Sequence, residues 1–378
     1  MTQAEAIAVP RAAERPSLGD WLDAQASRLF ILPAVLIILA FSIFPLIVSA
    51  YLSLARFQLA PGGYRITFVG ALNYRRLLTG SQQFHFLGTF ADMPPLGWML
   101  TALAGAGAAL ALWRYTRRRQ VTVLGLLGRL TASALALALA VLFAATIGGQ
   151  FGSLTTTLLY VIGGVSVQFA IGLGLALLCA QPVAGRNVFR LLFFMPLMVT
   201  PVGIAYMFRM LADMNAGPFA PVWRALGLGD VNWATEAWSA RLVVLIGDSW
   251  QWIPFVFIVM LAAIESQPRD QVEAAELDGA GPWRIFRDVT WPAIAPVAAT
   301  VVLIRLIEAF KIVDLPNVLT NGGPGIATES LTLHAFMEWR ALNLGGAAAV
   351  AYLLLFVATV SAASFFHFVV RQARREQP

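Results

Sequence analysis

From residue 30 onward the chain is a succession of long apolar runs separated by short arginine-bearing segments. A helix that crosses a hydrocarbon core needs about 20 predominantly apolar residues. Eight segments reach that length, at 30–54, 95–113, 123–147, 154–180, 189–211, 241–264, 294–314 and 346–370. The last three are long or interrupted by polar residues, which tilt or a solvated cavity accommodates. Runs such as Leu135–Phe143 are continuously apolar, whereas barrel strands alternate apolar and polar positions. The fold class that follows is an all-α polytopic membrane protein of about eight transmembrane helices.

Charge then orients the spans. Placing the N-terminus inside puts 15 basic residues on the inner side, 8 on the outer side and 3 within spans. An excess of arginine and lysine marks cytoplasmic loops, so both termini are expected in the cytoplasm. Residues 1–28 read as a polar cytoplasmic tail, 29–91 as the first span with an outer loop, and 371–378 as a second tail. Val48-Ser49-Ala50 resembles a signal-peptidase site, but the apolar run before it exceeds a usual h-region, so a retained span is expected. The cluster Arg114–Arg119 is what divides residues 95–147 into two spans.

Composition narrows the chemistry. Only 12% of residues are charged against 59% hydrophobic, about half the roughly 25% charge of ordinary globular chains. The formal charge of +6 forms no continuous basic stripe, so nucleic acid is not an expected partner. Cys179 is the single cysteine, which excludes an internal disulfide. The histidines, His85, His334 and His367, have no ligand-like spacing, and no metal site is expected from them. Lys311 is the only lysine and lies between Phe310 and Ile312, so a phosphate-binding Gly-Lys-Ser/Thr loop is impossible. No nucleophile, base or metal set of an enzyme emerges, and any nucleotide energy has to come from another subunit.

The most informative stretch is 265–292, an inner loop on the charge count. Pro268 can open a short helix carrying Asp270, Glu273 and Glu276 toward its positive end. Gly279 can close it through a left-handed cap. A second amphipathic turn follows, and Pro292 and Pro296 are expected to start the next span. On these residues alone the loop either rests on the inner headgroups or presents a helix–turn–helix to a cytoplasmic partner. The spacing of Glu273, Ala274, Ala275, Gly279 and Pro292 resembles the EAA loop of binding-protein-dependent ABC importer permeases, with Val289 and Trp291 in place of that pattern's isoleucine and leucine. Phe194-Met195-Pro196, Asp248–Phe255 and Leu319-Thr320-Asn321-Gly322-Gly323-Pro324 are similar to its sugar branch, on the subunit corresponding to the larger permease of maltose-type importers.

The resemblance implies a type I importer permease fold, with a core at 153–370 and a two-span insertion at 92–147. It implies that Glu273, Ala274, Ala275, Asp278, Gly279 and Pro292 couple the chain to an ATPase. The implied partners are a second permease subunit, two ATPase subunits that bind the ATP and Mg, a soluble substrate-binding protein, and membrane lipid. No cofactor is implied in this chain. The substrate would be a sugar or polyol, moved across a bacterial inner membrane by alternating access. The alternatives are an importer permease for a non-sugar solute, a membrane-embedded enzyme or a secondary transporter, of which the last two leave the Glu273–Pro292 spacing unexplained.

Arg305, Glu308, Lys311 and Asp314 recur at steps of three in the seventh apolar run. Ionisable groups in such runs are expensive and face protein or water. They can neutralise one another as ion pairs along the helix. Alternatively, Arg305, Glu308 and Lys311 line a substrate path, as the matching span does in the resembling family.

The charge count makes a direct prediction. Reporter fusions after Arg119 should report cytoplasm, and fusions near Gly149 the outside. Cytoplasmic signals at both positions would remove the two-span hairpin.

Overall fold

The computed structural model describes residues 30–89, 95–117, 150–181, 185–214, 216–227 and 233–376, with isolated positions between 129 and 140. Among the described residues, six helices are long and apolar enough to cross a membrane, or seven if one bent pair counts as a span. The expected span at 123–147 lies outside the described residues, apart from those isolated positions. The chain divides into two compact units, Met1–Leu52 and Ser53–Pro378. The described part of the first unit belongs to helix α1, Phe30–Ser53, whose window of highest hydropathy has no buried residue.

The second unit opens with an antiparallel hairpin, β1 (Ala55–Ala60) and β2 (Gly63–Phe68), in the register Ala55↔Phe68 to Ala60↔Gly63. Helices α2 (Leu72–Thr79) and α3 (Gln83–Leu87) follow. Asn73, buried in α2, donates to the carbonyls of Ser53 and Ala55 at 2.8 and 3.0 Å and so anchors the first strand. A two-residue strand β3 (Gly88–Thr89) pairs with β4 (Gln150–Phe151), and α4 (Pro95–Thr116) lies between them in sequence.

The bundle proper begins with α5, Ser153–Ala180. The expected straight span at 189–211 is instead two helices, α6 (Arg186–Phe194, extended by a tight turn through Met198) and α7 (Pro201–Ala212). The apolar segments Val188–Met198 and Pro201–Ala212 meet at 102°. The cause is local. Val199 and Thr200 are extended, as the residue before a proline prefers, and Thr200 then caps α7 by accepting from the Gly203 amide. After α8 (Ala220–Ala225) comes α9, Ala237–Glu265, which passes through Pro254 without ending. At 1.5 Å per residue it is about 43 Å long.

Helix α10 (Arg269–Leu277) and α11 (Pro282–Ala309) complete the central hairpin. The seventh span therefore starts at Pro282, not near 294, and stops at Ala309, not at 314. Pro292 and Pro296 sit inside the helix rather than at its start. A proline has no amide and its ring crowds the carbonyl four residues back. Here Phe286–Thr290 widen into a π turn, and the Trp291 amide reaches the Phe286 carbonyl, which relieves that conflict. Then α12 (Asp314–Thr320), α13 (Leu331–Arg340) and α14 (Leu344–Glu376) close the chain.

Helices α5, α9 and α11 share one core of Ala176, Val256, Phe257, Met260, Ile294, Ala298 and Val301. The α5–α9 contact needs Gly172, because a Cβ there would lie 2.7 Å from the Val256 side chain and 3.1 Å from the Phe257 amide. Small residues let apolar helices approach closely where lipid offers no hydrophobic gain. The two ends of this core are distinct. At one, Phe151 packs edge-on against Trp238, and Arg241 donates to the Ala327 carbonyl at 2.8 Å. At the other, Arg190 bonds the Cys179 carbonyl and pairs with Glu265, next to α10.

Candidate functional site

The expected coupling helix is α10. Pro268 precedes it, Asp270 lies in its first turn, and none of its residues is buried. It ends as a left-handed cap. Gly279 has φ +74°, its amide reaches the Glu276 carbonyl, and the Ala280 amide reaches back to Ala275, both at 3.0 Å. These are the two bonds of a Schellman ending. Ala275 thus holds the cap through its carbonyl, while Glu273, Ala274, Asp278 and Gly279 are exposed. A Cβ at Gly279 would meet nothing within 4 Å, so the glycine is required by backbone angle and not by crowding. Beside this cap Leu277 is 89% and Trp283 71% exposed. Single exposed apolar residues are ordinary, but two at the tip of a well-ended helix form an apolar point with an acidic flank. Pro292, the last residue of the matched pattern, lies two residues past the π turn of α11.

The charged row of the seventh run separates into two parts. Arg305 is buried with 1% of its side chain exposed, and its partner is Asp248 of α9, not a neighbour on its own helix. Its Nη2 donates to Asp248 Oδ2 at 2.8 Å and its Nε to Gln168 Oε1 at 2.7 Å. Gln168 Nε2 donates to the same Asp248 oxygen at 2.7 Å, and the Trp252 ring lies 4.4 Å from the guanidinium carbon. Three helices, α5, α9 and α11, are pinned at this point. Glu308 and Lys311 pair with each other and keep 37% and 61% of their side chains exposed. Asp314 begins a separate helix beyond the break. Of the ion pairs that the row could form along its helix, Glu308–Lys311 is present, with Lys311 in the turn just past the helix end.

Gln168 escaped the sequence reading, and Asp248 entered it only as the first residue of the sugar-branch stretch Asp248–Phe255, not as a partner of Arg305. Their signal is solitary polarity. Asp248 is the only carboxylate of the run 241–264, Gln168 the only amide of 154–180, and Arg305 the only arginine of 294–314. Burial without a partner is prohibitive for such groups, so three singletons of complementary chemistry on three spans are candidates for one network.

At the opposite end of the bundle two histidines meet despite their sequence distance. The rings of His85 (α3) and His334 (α13) stack with centroids 4.1 Å apart. His85 Nε2 lies 2.7 Å from Glu329 Oε1, and this hydrogen bond holds the imidazole above its ordinary pKa.

These features define a class: a helical membrane protein with an exposed helix–turn between two long spans and a charge-pinned bundle. Residues 168–376 match the family described as binding-protein-dependent transport system inner membrane component, more than half of the chain, and the protein belongs to that family. Over 197 residues it is 33% identical to the trehalose/maltose transport system permease protein MalF of Thermococcus litoralis, covering 52% of this chain and 66% of that protein, just under two thirds. It is 30% identical over 226 residues to the sn-glycerol-3-phosphate transport system permease protein UgpA of Yersinia enterocolitica, covering 59% of this chain and 76% of the relative. In fold it is similar to a chain of a bacterial alginate ABC transporter, crystallised in complex with alginate pentasaccharide-bound periplasmic protein. There the TM-score is 0.60 at 16% identity, over 95% of this chain and 97% of the other. The protein is a multi-pass membrane component with an importer permease fold.

The pinned network generates a test. Removing one partner of a buried ion pair costs about 3–5 kcal/mol, while apolar replacement of both is often neutral. Asp248→Ala should sharply lower the thermal stability of the detergent-solubilised protein. The double variant Asp248→Leu/Arg305→Met should recover most of it. A single variant as stable as the parent would refute the network's structural role.

Proposed function

We propose that this chain is the permease subunit of an ATP-driven importer of a sugar or polyol, multi-pass in a bacterial inner membrane. The observation that carries the reading is α10: a helix with no buried residue, stopped by a left-handed glycine, with Leu277 and Trp283 bared beside the cap. Such a surface suits a cleft on a cytoplasmic partner, and its Glu-Ala-Ala and Gly279 spacing is that of the family's coupling loop. Two ATPase subunits would bind ATP and Mg and push on this loop. A second permease subunit would complete the path, and a soluble binding protein would deliver substrate at the far end. The permease core is 153–370, and 92–147 is a two-span addition to it.

The carbohydrate assignment rests on the names of the relatives and on the Gly322-Gly323-Pro324 turn. Of the three substrate-path candidates, Glu308 and Lys311 keep accessible charge, while Arg305 is enclosed and supports the helix that carries Glu308 and ends just before Lys311. Uptake of labelled sugars and polyols into proteoliposomes with the cognate binding protein tests the substrate class.

Gly279 tests the coupling. Proline cannot adopt positive φ and lacks the amide that closes the cap. Gly279→Pro should leave the protein in the membrane but abolish ATP hydrolysis stimulated by the loaded binding protein. Gly279→Ala meets no neighbour and costs only about 1–2 kcal/mol for the left-handed angle, so it should retain much of the activity. Full stimulated hydrolysis in the proline variant would overturn the coupling role.

A further inference from the structure

His85, Glu329 and His334 converge at the end of the bundle away from α10, and no step of the transport reading uses them. One ligand atom from each lies within 4.8 Å of the others. Glu329 Oε1 is 2.7 Å from His85 Nε2 and 3.6 Å from His334 Nδ1. In a tetrahedral zinc site, bonds of about 2.0–2.2 Å separate neighbouring ligand atoms by roughly 3.3 Å, and the two observed separations bracket that value. His334 is fully buried and Glu329 nearly so. Deep burial of a carboxylate against two imidazoles is costly unless a positive charge is shared among them.

The surroundings resemble the outer shell of a metal centre. His334 Nε2, the nitrogen facing away from Glu329, is buried without a hydrogen-bond partner. It points toward Glu338, whose Oε1 is 3.8 Å away. Glu338 is itself fixed by Gln82, which donates to Oε1 at 3.0 Å, and by Asn343, which donates to Oε2. Ligating histidines characteristically direct the second nitrogen at such a carboxylate, which fixes the tautomer. With Nε2 protonated toward Glu338, Nδ1 of His334 accepts from the Ser153 hydroxyl at 2.9 Å, and its lone pair becomes available to an ion once that hydroxyl turns away.

We propose that His85 Nε2, Glu329 and His334 Nδ1 bind a divalent transition-metal ion, zinc above all, with Glu338 as the outer carboxylate. Two imidazoles and one carboxylate suit zinc, cobalt or nickel and not calcium or magnesium, which take oxygen ligands. Water would fill the fourth position. The imidazole planes are stacked, 11° from parallel, so two nitrogens in separate parallel planes do not point at one shared ion, and His85 must rotate to complete the site. It has room, being 34% exposed. The ion would staple α3 to α13 and to the loop that follows Gly322-Gly323-Pro324, across the end of the bundle where the binding protein would dock.

The test uses the full chain with its partner subunits, purified without a polyhistidine tag and dialysed against micromolar zinc. Mass spectrometry of the metal content should find one zinc per chain above the His85→Gln and Glu329→Gln variants. Glu338→Gln should keep the stoichiometry but bind about 10–100-fold more weakly. Because His85 is partly exposed, His85→Gln should melt with the parent protein in the presence of chelator, which separates loss of metal from loss of fold. Cobalt should give the intense visible absorption of a tetrahedral site in the parent and not in His85→Gln. A parent protein that retains no zinc, or a His85→Gln variant that retains as much, would overturn the site. Transport need not be measured, so the outcome is independent of the importer reading.

Discussion

An arginine inside an apolar bundle is tolerable only with a carboxylate against it, and the placement of three helices rests on that requirement. Arg305 of α11 holds Asp248 of α9 while Gln168 of α5 bonds both. Each group satisfies the others, so the cluster has a definite geometry where apolar packing alone tolerates sliding. The consequence reaches the cytoplasmic-type loop. Helices α9 and α11 are the two arms on either side of α10, and both are helical almost up to it. A displacement of α10 is therefore delivered to two rigid arms that are pinned to each other and to α5 further along.

Much of this organisation is written in the hydrophobic pattern. The apolar runs at 154–180 and 241–264 match α5 and α9 closely, because length and hydropathy decide such helices almost unaided. Gly279 was legible for a related reason: a glycine after an acidic amphipathic turn has one common use, and its φ of +74° is that use. Where the reading failed, proline and tertiary contacts were responsible. Pro196 and Pro201 permit a 102° bend that hydropathy cannot register. Pro292 reads in sequence as a helix start, but a π turn absorbs it and lets the helix begin at Pro282.

The charged row shows the same limit more sharply. Steps of three on one helix made Arg305 and Glu308 natural partners, yet Arg305 reaches across to α9. Helical spacing reports which side chains share a face and is silent on what the next helix brings. His85 and His334 make the point again, since no linear spacing reveals a stacked pair built from α3 and α13. The family match spans 168–376 and so takes in Gln168, Asp248, Arg305 and α10 together, while His85 lies outside it.

If α10 is the surface through which an ATPase subunit acts on this chain, a thiol placed on it will lie within cross-linking reach of that subunit. Cys179 is the only cysteine, so a Cys179→Ser background allows one new thiol at a time. Glu273→Cys places it on exposed α10, and Arg65→Cys places it on the exposed hairpin strand β2 as a control. With a short thiol cross-linker and the assembled transporter, Glu273→Cys should join to the ATPase subunit with an efficiency that changes when ATP is added, and Arg65→Cys should not join to it at all. Absence of any cross-link from Glu273→Cys, or an equal yield from Arg65→Cys, would contradict that role.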